Sequence, residues 1–381
     1  MTVYLAFLSV VCVSPILMRS VIKDTKKADI YALRISVLAL FLLFALRAPS
    51  VGRDIAGYKE MYENIAVNTR YDTNTYWTET GYEMLEIFFG RTLKADWQVF
   101  LAFCNGFSIL SYYFFIKRHS EDPVFSVLVY VFMGYMIFDL SAVRNMLAIA
   151  ICLFVVPLFD KKGFWPAVVA TLAIITVATQ IHSSAYIFFL FYFLYKIPIN
   201  NITIFLFITL PIFLFALRNQ IINFAISTFK KSVEDNGAYL GGNALLYVLI
   251  LLFTVFVFLI YVWQENGSIK ERTQIAKKEN KAEISINMFG KMENSILMPF
   301  RMVYVGVVFT IFTGSNTFVR MAQYGLIFTI LLLPNIISKL EAKSRFIVKI
   351  SAIILLAAYF YLFKVRTNDL DFLPYAFYWN G

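Results

Sequence analysis

A chain of 381 residues that is 60% hydrophobic and 18% aromatic, with mean hydropathy +0.70, is too apolar for a soluble domain. Its net charge of +10 comes from 34 Lys and Arg against 24 Asp and Glu; no nucleic-acid partner is expected. Cys12, Cys104 and Cys152 all sit in apolar runs with no CxxC spacing and an odd total, which excludes a disulfide framework and a metal site and predicts buried thiols.

Apolar runs of roughly 16 to 21 residues, long enough to cross about 30 Å of hydrocarbon, predict an all-α polytopic membrane protein forming a single integral domain over 1–381. The expected spans are 2–18, 30–46, 98–116, 123–138, 140–159, 164–181, 183–197, 200–217, 243–263, 295–313, 320–337 and 346–363, about twelve in all. The first run lacks a basic n-region and an Ala-x-Ala site and is expected to be retained. Basic residues in short loops place both termini outside the cytoplasm, with Lys23, Lys117, Lys161, Lys196, the 264–294 loop and Lys339 inside. The inside set is mostly Lys and the outside set mostly Arg. Arginine binds phosphate and carboxylate with a planar fork, so this bias points to an anionic ligand on the outer face.

Two outer segments are longer than connectors need to be. Residues 47–97 contain an amphipathic stretch, "TETGYEMLEIFF", with Tyr82, Leu85 and Phe89 on one expected face and Glu79, Glu83 and Glu86 on another. Residues 218–242 form a second surface segment.

Polar residues gather at the outer ends of the spans: Arg47, Arg53, Asp54, Asp139, Arg144, His182, Arg218 and Arg320. An ionisable group at the centre of a membrane helix costs about 2.5 to 3.5 kcal/mol, less at the rim, so the gathering calls for a function. Singly, each could snorkel or cap a helix, and Arg34, Arg301 and Lys349 on the inner side are expected to do so. His119 is expected to be a solvated inner-loop residue. Arg320 and Tyr324 are four apart and share a helix face, as do Asp54 and Tyr58 if "DIAGYKEMY" is helical.

In chain order, "VGRDIAGY" (Gly52, Asp54, Tyr58), "TETGYEML" (Glu79, Gly81, Tyr82), "VRNMLAIAI" (Arg144, Leu147, Ala148), "IHSSAYI" (His182, Ser183, Ala185), "VRMAQYG" (Arg320, Tyr324) and "LPYAFYW" (Pro374, Tyr375) resemble the motifs of the EpsG-like branch of Wzy-type polysaccharide repeat-unit polymerases. Arg53 stands where that branch usually has Thr, and Asn145 where it has Gln. The resemblance implies a GT-C-like fold with outer-face surface helices, in the bacterial inner membrane with its active site facing out. It implies transfer of a growing sugar chain from a polyprenyl pyrophosphate carrier to a hydroxyl of another lipid-linked unit. Membrane lipid and a chain-length regulator are further expected partners, and no cofactor is implied.

Under that resemblance, a stabilised pyrophosphate leaving group needs fixed positive charge rather than a protonating acid. Arg144 and Arg320 are expected to clamp it, with Arg218 and Arg53 as secondary contacts and Tyr58 and Tyr324 against the sugar. His182 is expected as the base for the attacking hydroxyl, its reference pKa being near 6.5, with Asp54 and Glu79 as rivals. Asp369 and Asp371 have DxD spacing but are expected to be charges in a solvated tail, since no nucleotide sugar is expected outside the cell. A flippase of the lipid-linked unit or a ligase-like GT-C enzyme would want similar arginines; a channel would want a polar stripe that is absent.

Overall fold

The computed structural model describes residues 1–67, 79–159, 164–197, 201–228, 294–312 and 316–380. The predicted span 243–263, the cytoplasmic loop up to residue 293 and the surface segment from 229 to 242 lie outside them. The described residues are mostly helical, with no strand among them beyond an isolated antiparallel bridge between Arg47 and Phe377. They divide into two compact units, Met1–Tyr192 with Ile353–Gly381, and Phe193–Ala352.

The first unit begins with α1 (Thr2–Val21) and α2 (Thr25–Ala45). Asp24 caps α2 by accepting from the Lys27 N–H, and Arg19 grips Asp29 with two hydrogen bonds at the same end. The two helices are tied along their length by Ser14, which reaches Ser36 and the Ala32 carbonyl, the small-residue contact expected where apolar helices pack in lipid. Next come α3 (Ile55–Val67), α4 (Thr80–Ile87) and α5 (Trp97–His119). Asp96 caps α5, and Lys117, Arg118 and His119 fill its last turn, where they oppose the carbonyl end of the dipole.

The spans expected at 123–138 and 140–159 are instead broken. Gly134 adopts a left-handed conformation (φ +82°) between α6 (Pro123–Phe132) and α7 (Tyr135–Ser141), which bend by 63°. Ala142, itself non-helical, then separates α7 from α8 (Val143–Leu153). These segments are almost wholly buried, the condition under which interrupted backbone survives within an apolar chain. Asp139, buried on α7, accepts hydrogen bonds from the Tyr112 and Tyr130 hydroxyls. The unit continues with α9 (Phe164–Thr179) and α10 (Ile187–Lys196).

The C-terminal tail is not the solvated segment that its charges predict. The Tyr4 hydroxyl donates to the Phe372 carbonyl, the Tyr375 hydroxyl to Leu43, and the backbone of 376–378 pairs with Leu46 and Ala48. Arg47, expected at an open rim, is fully buried and donates to the Phe44 and Leu140 carbonyls.

The second unit contains the end of α10, then α11 (Asn201–Ala216), α12 (Arg218–Thr228), α13 (Asn294–Phe309), α14 (Asn316–Leu326), α15 (Thr329–Ser338) and the start of α16 (Ala342–Phe360). Arg301 donates to the carbonyls of Leu194 and Tyr195 rather than snorkelling alone.

Among the described residues, five helical stretches could cross a membrane by length and composition: Thr2–Val21, Thr25–Ala45, Trp97–His119, Phe318–Ser338 and Ala342–Val365. The bent pair α6–α7 would be a sixth. The remaining predicted spans that fall on described residues are shorter helices, so the expectation of about twelve crossings is met in part. The thiols of Cys104 and Cys152 are buried as expected, but Cys12 faces outward from α1.

In the second unit α13 and α14 cross at Gly306 and Gly325. A Cβ at Gly306 would lie 2.6 Å from the Leu326 nitrogen, and one at Gly325 would lie 2.7 Å from the Gly306 nitrogen. Replacing either by Val should therefore force the helices apart and cost about 1 to 3 kcal/mol. The check is a lowered Tm of the detergent-purified protein, with a wild-type Tm counting against this crossing.

Candidate functional site

The site of the first unit is built on a carboxylate that does not cap its own helix. Glu79 occupies the N-cap position of α4 in extended backbone (φ −71°, ψ 140°), yet its side chain makes no capping bond there. It reaches instead to two other elements. One oxygen, Oε1, lies 2.9 Å from His182 Nδ1 and accepts the Ser183 N–H at 2.7 Å. The other, Oε2, accepts from Arg144 Nη1 at 3.0 Å.

Each partner is placed by a break in regular structure. His182 follows α9 in a turn with extended backbone (φ −156°, ψ 123°), and the short 3-10 segment Ser183–Tyr186 carries the chain into α10. Arg144 is the second residue of α8, which exists as a separate helix because Ala142 interrupts the run. The turn and α8 are stitched together by the Ser184 hydroxyl, which donates to Asn145 Oδ1 at 2.9 Å. Asn145 is thus a structural contact at the position where the resembled family usually carries Gln.

Gly81 explains how α4 comes close enough. The Tyr82 N–H donates to the Gln180 carbonyl at 3.1 Å, and a Cβ at Gly81 would lie 2.8 Å from that same oxygen. Only glycine allows this approach, which sets Glu79 against the His182 turn. Tyr58 on α3 and Tyr82 on α4 then flank the guanidinium, with Arg144 Cζ 5.4 and 5.8 Å from their ring centres. Arg144, Glu79 and His182 keep 14, 20 and 9% of their side-chain surface exposed, so the cluster is recessed but not sealed.

Burial alone would raise the Glu79 carboxyl. The hydrogen bond and charge of His182, the charge of Arg144 and the Ser183 N–H outweigh it and hold the group down at about 2. An acid held that low is a weak proton acceptor at neutral pH. With its Nδ1–H turned to Glu79, a neutral His182 ring presents Nε2 as its basic nitrogen.

The structure therefore brings together Glu79, Arg144, His182 and Tyr58. Arg53 meets the docked tail: its guanidinium pairs with Asp371 at 3.3 Å, while the Gly52 and Arg53 N–H groups donate to the carbonyls of Asp371 and Leu370. Asp54 starts α3, its N–H donating to Ser141 of α7, and Tyr58 follows one helical turn later as expected. Arg218, Arg320 and Tyr324 belong to the second unit. Arg218 lies over the Phe215 ring at 4.4 Å, Tyr324 is fully buried and Arg320 partly exposed on the same helix.

One face was assigned differently by the sequence. Glu86 was expected with Glu79 and Glu83 on the polar side of α4, but it is fully buried beside Tyr82, while Met84 and Phe88 face outward. The spacing of Tyr82, Glu86 and Phe89 carries that face, but an apolar pattern does not credit it to a glutamate. Among the described residues no cluster of three or more His, Cys, Asp or Glu is placed to hold a metal ion.

Fold and cluster define a helical membrane protein with an acid-oriented histidine and arginine held between its helices. The chain belongs to the EpsG family, whose model matches residues 30–377. No curated protein and no solved structure matches it.

Because the folded Glu79 value lies below its ordinary 4.5, its stabilising contribution is complete above about pH 4.5 and is lost as pH falls toward about 2. Glu79→Gln should lower the Tm at pH 7, and the gap from wild type should close as the pH is lowered through that window. A gap that stays constant with pH would show that the carboxylate is not held in this way.

Proposed function

We propose that this protein is a glycosyltransferase that polymerises polyprenyl-pyrophosphate-linked oligosaccharide repeat units into a surface polysaccharide, such as O-antigen or capsule. It would act at the outer face of the bacterial inner membrane, with both termini outside the cytoplasm. The observation that carries this reading is the single carboxylate of Glu79 holding Arg144 and His182 together. Membership of the EpsG family supports a polysaccharide polymerase in broad terms.

The chemistry assigned to the cluster is one displacement. The acceptor hydroxyl oxygen bonds to the anomeric carbon of the donor while the bond from that carbon to the diphosphate oxygen breaks. The hydroxyl proton passes to His182 Nε2, and the lipid diphosphate departs with the bonding pair. Glu79 fixes the tautomer and direction of the ring and steadies the imidazolium that forms, the part a carboxylate plays behind a histidine base. Arg144 holds the diphosphate as its negative charge grows. Its place in the first turn of α8 adds the partial positive charge of the helix N-terminus. Tyr58 and Tyr82, already against the guanidinium, offer aromatic and hydroxyl surface to a sugar. A chain-length regulator would act on this enzyme from outside the site.

Deleting the gene should cause single lipid-linked repeats to accumulate on the outer face; accumulation on the inner face would instead mark a flippase. His182→Ala should cut the polymerisation rate by about 10² to 10⁴-fold at unchanged membrane level, read from the polymer ladder. Arg144→Lys, a point charge without the fork, should restore only part of the activity that Arg144→Ala removes. Full-length polymer in both the His182→Ala and Arg144→Lys strains would overturn the assignment. The same Lys exchange at Arg320 tests that residue's expected part separately.

A further inference from the structure

Behind the cluster lies a carboxyl that the chemistry above does not use. Glu86 sits one turn after Tyr82 on the inner face of α4 and is fully buried. Neither of its carboxylate oxygens has a hydrogen-bond partner among the described residues, and the Tyr82 hydroxyl beside it is in the same condition. Among the described residues, the titratable groups coupled to it are Arg144 from α8, Tyr62 from α3, Cys104 from α5, and Tyr82 and Glu83 from its own helix. Phe100 closes the same space, stacked on Tyr62 and edge-on to Tyr82. Arg144 is the only cation among those groups, and it is the residue on which the proposed diphosphate binding depends.

Resting on that reading of the site, we propose that Glu86 is a positioning residue for the diphosphate donor. Kept uncharged behind Tyr82, it leaves the charge of Arg144 to Glu79 and the incoming phosphates; once ionised, it becomes a second carboxylate competing for the same guanidinium. A charged carboxylate with no hydrogen bonds in so dry a place is unfavourable, and the protonated form is the one the surroundings accept. Burial pushes the carboxyl up to about 8; Arg144 draws it back and Glu83 adds to the rise. The sign follows: below about pH 8 the group is neutral and Glu79 is the one carboxylate facing Arg144, and above it the site gains a second negative charge that opposes the donor.

The experiment measures binding of a polyprenyl diphosphate capped with one sugar to the purified full-length protein between pH 7 and 9. The two phosphate charges of such a diester do not titrate in that window. In the wild type the Kd should rise by up to about tenfold by pH 9, one pH unit beyond the Glu86 value. In Glu86→Gln, which is neutral at every pH, the rise should vanish, and Glu86→Met should be equally flat should the Gln variant fail to accumulate. A wild-type Kd that does not change with pH sinks the proposal, as does an unaltered rise in either neutral variant. A pH-dependent Kd in a protein that never extends a sugar chain would instead uphold this role for Glu86 and reject the polymerase reading.

Discussion

The organisation of the first unit turns on one carboxylate shared between two cations or potential cations. Glu79 divides its oxygens, Oε2 to Arg144 and Oε1 to His182 and the Ser183 N–H. Three separated segments of chain, the start of α4, the start of α8 and the turn after α9, are fixed relative to one another by this group. Taking charges out of water is expensive, and such a junction persists only when the opposite charges meet in good geometry. The stitching of Ser184 to Asn145 and of the Tyr82 N–H to Gln180 provides the rigidity that keeps those partners in place.

That junction depends on the helices being broken. An unbroken helix from 123 to 159 would bury Arg144 in mid-helix, with its side chain directed by the helix alone. The left-handed Gly134 and the non-helical Ala142 instead create a new helix start one residue before Arg144. Asp139 on the intervening short helix is satisfied by two tyrosine hydroxyls, so it does not compete for the arginine five residues away. Arg47 anchors the same region from the other side through the Leu140 carbonyl, and the docked tail closes over it. The junction is supported by irregular backbone that the surrounding packing has to satisfy.

Much of the site was legible because polar residues stand out in an apolar chain. Glu79, Arg144, His182 and Tyr58 were each marked by an ionisable or hydroxylated group beside a hydrophobic run, and the ordered motifs named the family that the chain belongs to. What the sequence concealed is of three kinds. Hydropathy averaged over a window passes smoothly across Gly134, so that break did not register, and the turn expected at 139 falls instead at Ala142. The facing of α4 was judged from its apolar residues, and Glu86 was placed with the other acids although its spacing from Tyr82 puts it inside. The tail was judged by its charge, whereas its docking is made by backbone groups and by the tyrosine hydroxyls of Tyr4 and Tyr375, for which composition gives no signal. The Arg53–Asp371 pair was concealed for the same reason, its partners lying more than three hundred residues apart.

The arrangement also explains why arginine, rather than any cation, belongs at position 144. A guanidinium carries five N–H donors in a planar fork, so it can hold Glu79 with Nη1 and present another edge to phosphate. A lysine ammonium, a compact charge on a flexible stem, would have to choose between the carboxylate and the ligand or sit between them in poor geometry. Were Arg144 to leave Glu79 altogether, the carboxylate would lose one of the interactions that hold it ionised, and the orientation of His182 would loosen with it. In the proposed reaction, anion binding and base positioning would therefore be coupled through a single residue, and an arginine gripping both sides would let the donor arrive without dismantling the group that directs the base.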